Sequence, residues 1–564
     1  MASAARLAAV AVVLAGSAFT AVAAAATPYF PNPSAKQETD TAKKPHCAHR
    51  RAVEHAVSCS LLLTEEPAYW YRLNREALER RLNAEKREGR AHNVILFIGD
   101  GMGLSTITAA RVFKGQLSGK AGENTALSFE KFPHTSLSKV YCVDRLVPDS
   151  ACSGTAIQCG VKNNYYTLGV SAHVRLSNCS ESSNPRHHLK CLYELAQEAD
   201  KSTGFVTTAG VTDATVAAGY AHAAHREWES SVGDKSGDNC LDIAHQLVHR
   251  PPGLHLRFIA GGGRQHFLVP EEVVQTGQPG KRPDSRNLIE EWTHLKQADR
   301  MNAHVCITKE DVENIDTATA DTVLALLASG DLPYENLDDI RKGTSLLTKL
   351  TEKAIRILSK NPDGFLLLVE AGQIDKGHHE TLAHRSLAEV LSLDLAVAKA
   401  VKMTRPDETL IIVTADHGHA FVMGGKPRRG ANIFGLDDKQ HPRTVLNYAV
   451  GPGYQRDYSN LTLEETSRKD FAFPSVYSEK TGTHSGEDVA VFAYGPYAHL
   501  FSGVHEQTYI YEVIRYAAGL DDSSYLTRRQ SLLAAVTAWL PGPVKYALAL
   551  AVVFYLHMFI KTFL

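Results

Sequence analysis

The sequence predicts an α/β fold, a three-layer α/β/α sandwich around a central, mostly parallel β-sheet, and three observations support this prediction. Short apolar runs end repeatedly in Gly or Asp, as in "NVILFIGDG", "GFLLLVEAG" and "TLIIVTADHG". Helical patterns separate these runs, which is typical of strands buried on both faces of a parallel sheet. The chain has 564 residues, enough for a large core, and its 60 basic and 62 acidic residues do not favour nucleic-acid binding.

Both ends of the chain have the composition of targeting segments. Residues 1–26 contain an apolar stretch that closes in small residues, which predicts a cleavable secretory signal peptide. Residues 546–564 are apolar but short, so they fit either a removable GPI-attachment signal or a retained transmembrane helix. Small residues upstream favour the GPI signal, with attachment at Ser523 and residues 521–564 as spacer and signal. The expected location is the extracellular face of the plasma membrane.

The segments after the signal peptide differ in composition. Residues 27–60 are polar and contain proline, and we expect a flexible extension there. Residues 65–90 are rich in strong helix formers and charges, with Pro67 near the start, which predicts an exposed helix. The sequons at Asn178 and Asn460 are available for glycosylation in a secreted chain.

Ionisable residues cluster where the strand-like runs end. Taken alone, an Asp after a strand is more often a turn former or a helix cap. In one parallel sheet these ends converge, so we expect their side chains to meet at one edge. Carboxylates and imidazoles together suit zinc, and oxygen-rich sets favour magnesium. The residues at these ends are Asp100, Glu370, Asp375, Asp416 and His417, with His484 just before a further run.

The segment "VPDSACSGT", residues 147–155, offers a nucleophile. Ser150 stands before small residues that predict the start of a helix, where backbone N–H groups and the helix dipole would meet a phosphate. A plain N-cap serine is the alternative for this residue considered alone.

Five motifs in order, "FIGDGMG", "VPDSACSGT", "VEAGQIDKGHHE", "TADHGH" and "THSGEDVAVF", make the chain resemble the alkaline phosphatase family over about residues 61–520. The terminal signals resemble those of its membrane-anchored animal branch. The resemblance implies hydrolysis of phosphate monoesters through a covalent phosphoserine, with Ser150 as nucleophile and Arg226 binding phosphate. It also implies a homodimer, which the helix of residues 65–90 would support, and a crown-like insertion over residues 423–477.

The resemblance further implies two zinc ions and one magnesium ion per subunit. The implied ligands are Asp375, His379 and His484 for the first zinc, Asp100, Asp416 and His417 for the second, and Asp100, Thr215 and Glu370 for magnesium. His378 and Glu380, although adjacent to these ligands, have no implied role.

The chain also departs from the family's animal members. They usually have His where this chain has Asp213 and Lys376, a pair that the well-known bacterial enzyme shares. We therefore expect these side chains to be in contact near a magnesium site of bacterial type. The positions of the calcium ligands in mammalian members align with Leu327, Ala328 and Thr344, so no structural calcium is expected. Lys426 replaces a tyrosine that reaches the partner subunit in mammalian relatives, which puts the dimer contact at the active site in doubt.

Nine cysteines in a secreted chain permit disulfides but leave at least one thiol over. By the resemblance, Cys179 pairs with Cys240, and Cys159 is a buried free thiol. A bridge between Cys47 and Cys59 is a further hypothesis.

Three functional interpretations follow. The first is a metal-dependent phosphomonoesterase with broad substrate tolerance, because no motif specifies a leaving group. The second is a surface-anchored binding protein that keeps the fold without catalysis. The third is a phosphodiesterase or sulfatase with a related site, although the sulfatase signature C-x-P-S-R is missing.

Overall fold

A computed structural model describes residues 67–82, 86–233, 240–271, 278–437, 443–455 and 460–520. The predicted signal peptide, the extension over 27–60, Ser523 and the C-terminal segment lie outside these residues. Among the helices that the structure describes, none has the length and apolarity needed to cross a bilayer.

The described residues form fifteen strands in three sheets. The strands are β1 (Asn93–Gly99), β2 (His134–Lys139), β3 (Ser202–Gly210), β4 (Phe258–Gly262), β5 (Ala303–Cys306), β6 (Thr322–Leu326), β7 (Phe365–Ala371), β8 (Thr409–Thr414), β9 (Gly418–His419), β10 (Phe421–Met423), β11 (Leu446–Gly451), β12 (Ser475–Ser478), β13 (His484–Ser485), β14 (Val489–Tyr494) and β15 (Gly503–Glu506).

The α-helices of the described residues are α1 (Pro67–Leu82), α2 (Leu104–Leu117), α3 (Ser150–Cys159), α4 (Cys179–Ser182), α5 (Leu192–Glu198), α6 (Ala214–Ala217), α7 (Ile243–His249), α8 (Leu288–Ala298), α9 (Lys309–Glu313), α10 (Leu337–Arg341), α11 (Leu346–Leu358), α12 (Gln373–His379), α13 (Ala383–Met403), α14 (Leu463–Thr466) and α15 (Tyr509–Ala518).

The main sheet has ten strands in the order β15-β2-β14-β8-β1-β7-β3-β4-β6-β5. Its neighbouring strands run parallel except where β14 lies antiparallel between β2 and β8. The predicted mostly parallel sheet is thus confirmed, and each apolar run named above forms a strand. Because β14 is antiparallel, its first residues lie beside the last residues of β8, with Val491 opposite Thr414. This direction brings the segment that precedes β14 to the carboxyl edge of the parallel strands.

Both faces of the sheet are covered, as the continuous apolar runs predict. In β1, Ile95 and Phe97 belong to one buried cluster, and Val94, Leu96 and Ile98 belong to the other. Helices α2, α11 and α13 supply apolar side chains to the first cluster, and α3, α5, α7, α8 and α15 supply them to the second. The alternation of neighbouring residues between two cores fixes the strand register, because a one-residue slip would exchange them.

The predicted N-terminal helix begins with Pro67, close to the expected position, and ends at Leu82, before the predicted end. Its apolar side chains Trp70, Tyr71, Leu78 and Leu82 are exposed. Within the described part of residues 423–477, strands β11 and β12 join β10 in a separate three-stranded sheet. Asn460 is exposed there, whereas Asn178 is half-buried and its side chain caps α4.

Helix α13 contains a buried carboxyl group outside the predicted site. Glu389 is 1% exposed, and the backbone N–H of Glu335 donates to its Oε1 at 2.7 Å. Its Oε2 has no hydrogen-bond partner among the described residues. Burial raises the pKa of Glu389 to about 8, and the nearby Glu335 carboxylate adds to this effect. A neutral Glu389 is therefore favoured in the folded chain at mildly acidic pH.

We expect Glu389→Gln to remove part of the pH dependence of stability. The pKa of this group is raised on folding, so its contribution is fully present below the unfolded pKa and is lost as the pH rises towards about 8. The difference between the melting temperatures of the variant and the wild type should therefore increase between pH 5 and 8 and level off above pH 8. Thermal denaturation over this range measures it, with the exposed Glu464→Gln as control. A pH-independent difference would contradict the expectation.

Candidate active site at the carboxyl edge of the sheet

The sheet brings the predicted site residues together. Strands β1, β7 and β8 are adjacent, and Asp100, Glu370 and Asp416 lie at their carboxyl ends. Helix α12 follows β7 and carries Asp375 and His379. Ligand-type atoms of Asp375, His379, His419 and His484 lie within 4.8 Å of one another, and those of Asp100, Asp416 and His417 form a second such group.

The first group presents a carboxylate and two imidazole nitrogens. Asp375 Oδ2 lies 3.2 Å from His379 Nε2, and its Oδ1 lies 3.3 Å from His484 Nε2. His379 Nδ1 donates to Gly482 O at 2.6 Å, and His484 Nδ1 donates to Pro148 O at 2.8 Å. These backbone contacts fix both rings with Nε2 towards the carboxylate, the arrangement that metal-binding histidines typically have.

His419 is a member of this group that the sequence analysis did not single out, although it ends the motif "TADHGH". Its ring is buried, and Nε2 lies 2.5 Å from Asp375 Oδ1. Burial acts to raise the pKa of Asp375, but the imidazoles of His379 and His419 hold it well below its ordinary value. His419 therefore orients the carboxylate and favours its ionised form. The signal available in the sequence was its position two residues after His417.

The second group surrounds the predicted nucleophile. Ser150 Oγ lies 3.2 Å from His417 Nε2 and 3.5 Å from Asp100 Oδ2. Asp416 Oδ2 lies 3.2 Å from His417 Nε2, and its Oδ1 accepts from the backbone N–H of Gly101 at 3.1 Å. All of these side chains are buried.

Ser150 is the first residue of α3, and the N-cap is Asp149. The carboxylate of Asp149 accepts from the backbone N–H groups of Ala151 and Cys152 at 3.1 and 3.4 Å. The interpretation of Ser150 as a plain N-cap is thus wrong, because Asp149 has that role and the Ser150 hydroxyl is directed to the second group.

A third set of side-chain oxygen atoms includes those of Asp100, Thr215 and Glu370. Thr215 Oγ1 donates to Asp100 Oδ2 at 3.3 Å, and Thr207 Oγ1 donates to Glu370 Oε2 at 2.6 Å. Asp100 Oδ1 and Glu370 Oε1 are buried and have no hydrogen-bond partner among the described residues. Buried carboxylate oxygens are rarely left in this state unless a cation or water completes the site.

Four buried carboxyl groups share this edge: Asp100, Glu370, Asp375 and Asp416. Burial and the neighbouring carboxylates Asp416, Asp375 and Glu370 raise the pKa of Asp100 well above its usual value. Burial likewise raises the pKa of Glu370 to about 7. So many carboxylates cannot remain ionised in a buried cluster without positive charge among them. The nitrogen-containing groups suit zinc, and the carboxylate and hydroxyl oxygens suit magnesium.

Arg226 lines the same cleft as the predicted nucleophile, Ser150. Its Nη1 donates to Asp149 Oδ2 at 3.1 Å, and Nη2 donates to Asp213 Oδ1 at 2.8 Å. The two contacts orient the guanidinium, and the nearby carboxylates Asp213 and Asp149 outweigh burial and raise the pKa of Arg226. The arginine is therefore part of the site and not a solvated surface residue.

Asp213 and Lys376 are in direct contact. Lys376 Nζ donates to Asp213 Oδ2 at 3.1 Å and lies 4.0 Å from Asp331 Oδ2. Although burial opposes ionisation, Lys376 and Arg226 lower the pKa of Asp213. The Asp213 carboxylate bridges Lys376 and Arg226, and its contact with Lys376 is the one that the paired departure from the animal sequences led us to expect.

The groups open into a cleft of about 730 Å³. Ser150, Arg226, Asp375 and His484 are among the residues that line it. His378 does not belong to either group of candidate metal ligands. Its ring is buried, with Nδ1 2.8 Å from Tyr448 Oη and Nε2 3.0 Å from Thr106 Oγ1. Glu380 accepts from Tyr334 Oη at 2.9 Å, outside the groups described above.

Three other positions noted in the sequence are described. Leu327 and Ala328 are half-buried and pack against the core beyond β6. Thr344 is half-buried and precedes α11. Lys426 is exposed.

The disulfides partly correct the sequence analysis. Cys179 is bonded to Cys240, as expected. The prediction of a free thiol at Cys159 is wrong, because this residue at the end of α3 is bonded to Cys191. Cys142 and Cys152 form a further disulfide, and Cys306 is a buried free cysteine. Neither cysteine of the Cys47–Cys59 hypothesis lies in the described residues. Pairing depends on distance in the fold, which spacing along the chain does not give.

Comparisons with known proteins give one consistent result. A sequence profile of the alkaline phosphatase family matches residues 91–520. The tissue-nonspecific alkaline phosphatase of Rattus norvegicus is 39% identical over 493 residues, which are 83% of this chain and 92% of that protein. The membrane-bound alkaline phosphatase of Bombyx mori is 37% identical over 470 residues, which are 80% of this chain and 85% of that protein.

Solved structures agree. A histidine-to-aspartate variant of the alkaline phosphatase from the Antarctic bacterium TAB5, with Mg bound in its M3 site, superposes with a TM-score of 0.55 and 25% identity. The alignment covers 77% of this chain and 100% of that one. The Thermus thermophilus alkaline phosphatase, at 20% identity and a TM-score of 0.56, has the same fold and is matched over 78% of this chain and 94% of its own.

The pairing of the described cysteines can be tested by peptide mapping. We expect Cys306 to react with an alkylating agent only after denaturation, because its side chain is buried. A digest prepared without reduction, compared with a reduced digest as control, identifies the cross-linked peptides by mass. The expected pairs are Cys142–Cys152, Cys159–Cys191 and Cys179–Cys240. Alkylation of Cys159 in the unreduced protein would contradict this arrangement.

Proposed function

This chain belongs to the alkaline phosphatase family, and from that premise we propose that it hydrolyses phosphate monoesters to an alcohol and phosphate through a phosphoserine on Ser150. One observation carries the proposal. The Ser150 hydroxyl is buried between His417 and Asp100, in a cleft that Arg226 also lines. A hydroxyl in this position has the groups around it that an activated nucleophile requires.

Two features of the chain would bind and orient the phosphoryl group. Ser150 begins a ten-residue helix, so the positive end of the helix dipole is directed at the site. Arg226 is held by Asp149 and Asp213 through two of its five N–H donors, which leaves donors for phosphate oxygens. An arginine fixed in advance loses little conformational entropy when it binds the transition state.

The donor sets support three metal ions. Asp375, His379 and His484 would hold the first zinc, Asp100, Asp416 and His417 the second, and Asp100, Thr215 and Glu370 magnesium. When bound, such a zinc pair supplies Lewis acids that stabilise charge on the attacking and leaving oxygens. His419 would keep Asp375 ionised and oriented for its ion.

We propose that Asp213 and Lys376 adapt the third site to magnesium. The 3.1 Å contact between them supports this proposal, as does the TAB5 variant in which aspartate replaces histidine and Mg occupies the M3 site. The ion pair would orient water molecules of the magnesium ion. No site for structural calcium is proposed at Leu327, Ala328 and Thr344, since two of these side chains are apolar and the third has a single hydroxyl.

We further propose a glycosylated homodimer with a GPI anchor on the extracellular face of the plasma membrane. The exposed apolar side chains of α1, including Trp70 and Tyr71, support a subunit contact there. The proposed anchor rests on residues 521–564 of the sequence, with Ser523 as the attachment site. The relative from Bombyx mori is described as membrane-bound.

Substitution of the nucleophile tests the reaction. We expect Ser150→Ala to lower monoester turnover by more than about a thousandfold, because it removes the hydroxyl that forms the phosphoserine. EDTA should abolish wild-type activity, and zinc with magnesium should restore it. Turnover of a monoester, a diester and a sulfate ester with one aryl leaving group measures this, with the remote Ser118→Ala as control.

The outcomes separate the alternatives. An inactive wild type with bound metals would favour the binding protein that lacks catalysis. Faster turnover of the diester or sulfate ester would favour the related activities. Monoester hydrolysis that survives EDTA would contradict the metal-dependent reaction.

The Asp213–Lys376 pair can be tested by a double-mutant cycle. We expect Asp213→Asn and Lys376→Met each to weaken Mg²⁺ affinity by about tenfold or more, because each leaves its partner's charge unpaired. The double variant should lose less Mg²⁺ binding free energy than the sum of the losses in the two single variants. Equilibrium dialysis with elemental analysis measures bound magnesium, with the exposed Lys480→Met as control. Additive losses would show that the two side chains act independently.

A further inference from the structure

We propose that the Cys142–Cys152 disulfide positions the active site. It would fix the segment between the two cysteines, which contains the nucleophile Ser150 and contacts the phosphate-binding arginine and a histidine of the first metal group. This inference rests on the proposed function and assigns a positioning role to two cysteines for which the sequence motifs gave none.

The segment divides into an exposed part and a buried part. Residues 143–147 are all exposed, with Leu146 88% and Val143 55% accessible to solvent. Pro148, Asp149 and Ser150 directly after them are buried. An exposed run buries little apolar surface, so it offers little free energy to offset the conformational entropy lost on ordering. The disulfide at the buried Cys142, which directly precedes the exposed run, restricts the conformations of the run without burial of apolar surface.

The buried part contacts three functional groups. Pro148 O accepts from Nδ1 of His484 at 2.8 Å and so directs Nε2 of that ring to the first group. Asp149 Oδ2 accepts from Nη1 of Arg226 at 3.1 Å. Ser150 follows directly in the chain. A displacement of this short segment would therefore move a metal ligand, the phosphate-binding residue and the nucleophile together.

Asp149 also connects the segment to Tyr166, which lines the same cleft. Its Oδ1 accepts from the backbone N–H of Tyr166 at 3.0 Å, and Tyr166 O accepts from the backbone N–H of Arg226 at 2.9 Å. Asp144 Oδ1 accepts from the N–H of Tyr165 at 2.8 Å. The arginine is thus held through its side chain and its backbone, and both routes lead back to the cross-linked segment.

A second disulfide on the same helix provides a matched comparison. Cys159–Cys191 joins the last residue of α3 to the residue before α5, and both cysteines are buried. Cys159 is nine residues from Ser150, about 14 Å along a helix with a rise of 1.5 Å per residue. Removal of this bond also takes one disulfide from α3, but it leaves the segment 142–149 cross-linked.

The test compares two double variants of the full chain, Cys142→Ala with Cys152→Ala and Cys159→Ala with Cys191→Ala. We expect the first to lower kcat/KM by between about tenfold and a hundredfold, since small displacements of reacting groups have effects of this size. Its inhibition constant for inorganic phosphate should rise by about tenfold, because Arg226 is less well oriented. The second should keep both constants within about twofold of the wild type, although both variants should melt at lower temperature.

Zinc content by elemental analysis gives a readout that does not depend on turnover. The first variant should release zinc to a chelator faster than the second, because His484 loses the fixed acceptor for Nδ1. If the first double variant does not fold, Cys142→Ser alone breaks the bond and leaves the sequence of α3 unchanged. Its kcat/KM and its inhibition constant for phosphate then test the inference.

Two outcomes would overturn the inference. One is a first variant with kcat/KM and phosphate inhibition within about twofold of the wild type, and the other is an equal loss in both variants. Neither outcome bears on the reaction itself, which Ser150→Ala tests separately. An active Ser150→Ala variant would instead contradict the proposed function.

Discussion

The concentration of negative charge at one edge of the sheet is the constraint on which the rest of the structure depends. Asp100, Glu370, Asp375 and Asp416 are buried together, where burial and mutual repulsion oppose their ionisation. Groups that favour the ionised carboxylate surround Asp375 and Asp213, namely imidazoles, a lysine and an arginine. Asp100 and Glu370 lack sufficient protein donors among the described residues, which is the strongest physical argument for bound cations.

In this fold the residues that stabilise the sheet differ from the charged residues of the candidate site. The two apolar cores on either side of the sheet bury the strands, so the strand ends can carry charged groups that contribute nothing to packing. The order of β7, β1 and β8 places three carboxylates side by side. Because β14 is antiparallel to β8, the segment that precedes it, which contains His484, lies at this edge.

The helix that begins at Ser150 shows a second kind of constraint. Helix α3 has a disulfide near each end, and Asp149 both caps it and binds Arg226. Ser150 is therefore positioned by covalent links and hydrogen bonds as well as by packing. The Asp149–Arg226–Asp213–Lys376 chain of ion pairs extends from the helix cap towards the third group of oxygens. Substitution of one member would change the electrostatic environment of the others, because each charge is partly neutralised by its neighbours.

The sequence by itself determined the strands and most of the side chains that gather at the carboxyl edge of the sheet, because both depend on local patterns. Apolar runs such as residues 365–369 form buried strands, and the residues that follow parallel strands meet at one edge of the sheet. Only the tertiary structure decided contacts between residues far apart in the chain. It paired Cys159 with Cys191, placed His419 on Asp375, gave the N-cap of α3 to Asp149, and buried Glu389. These outcomes depend on distances and directions in space, which spacing along a chain does not specify.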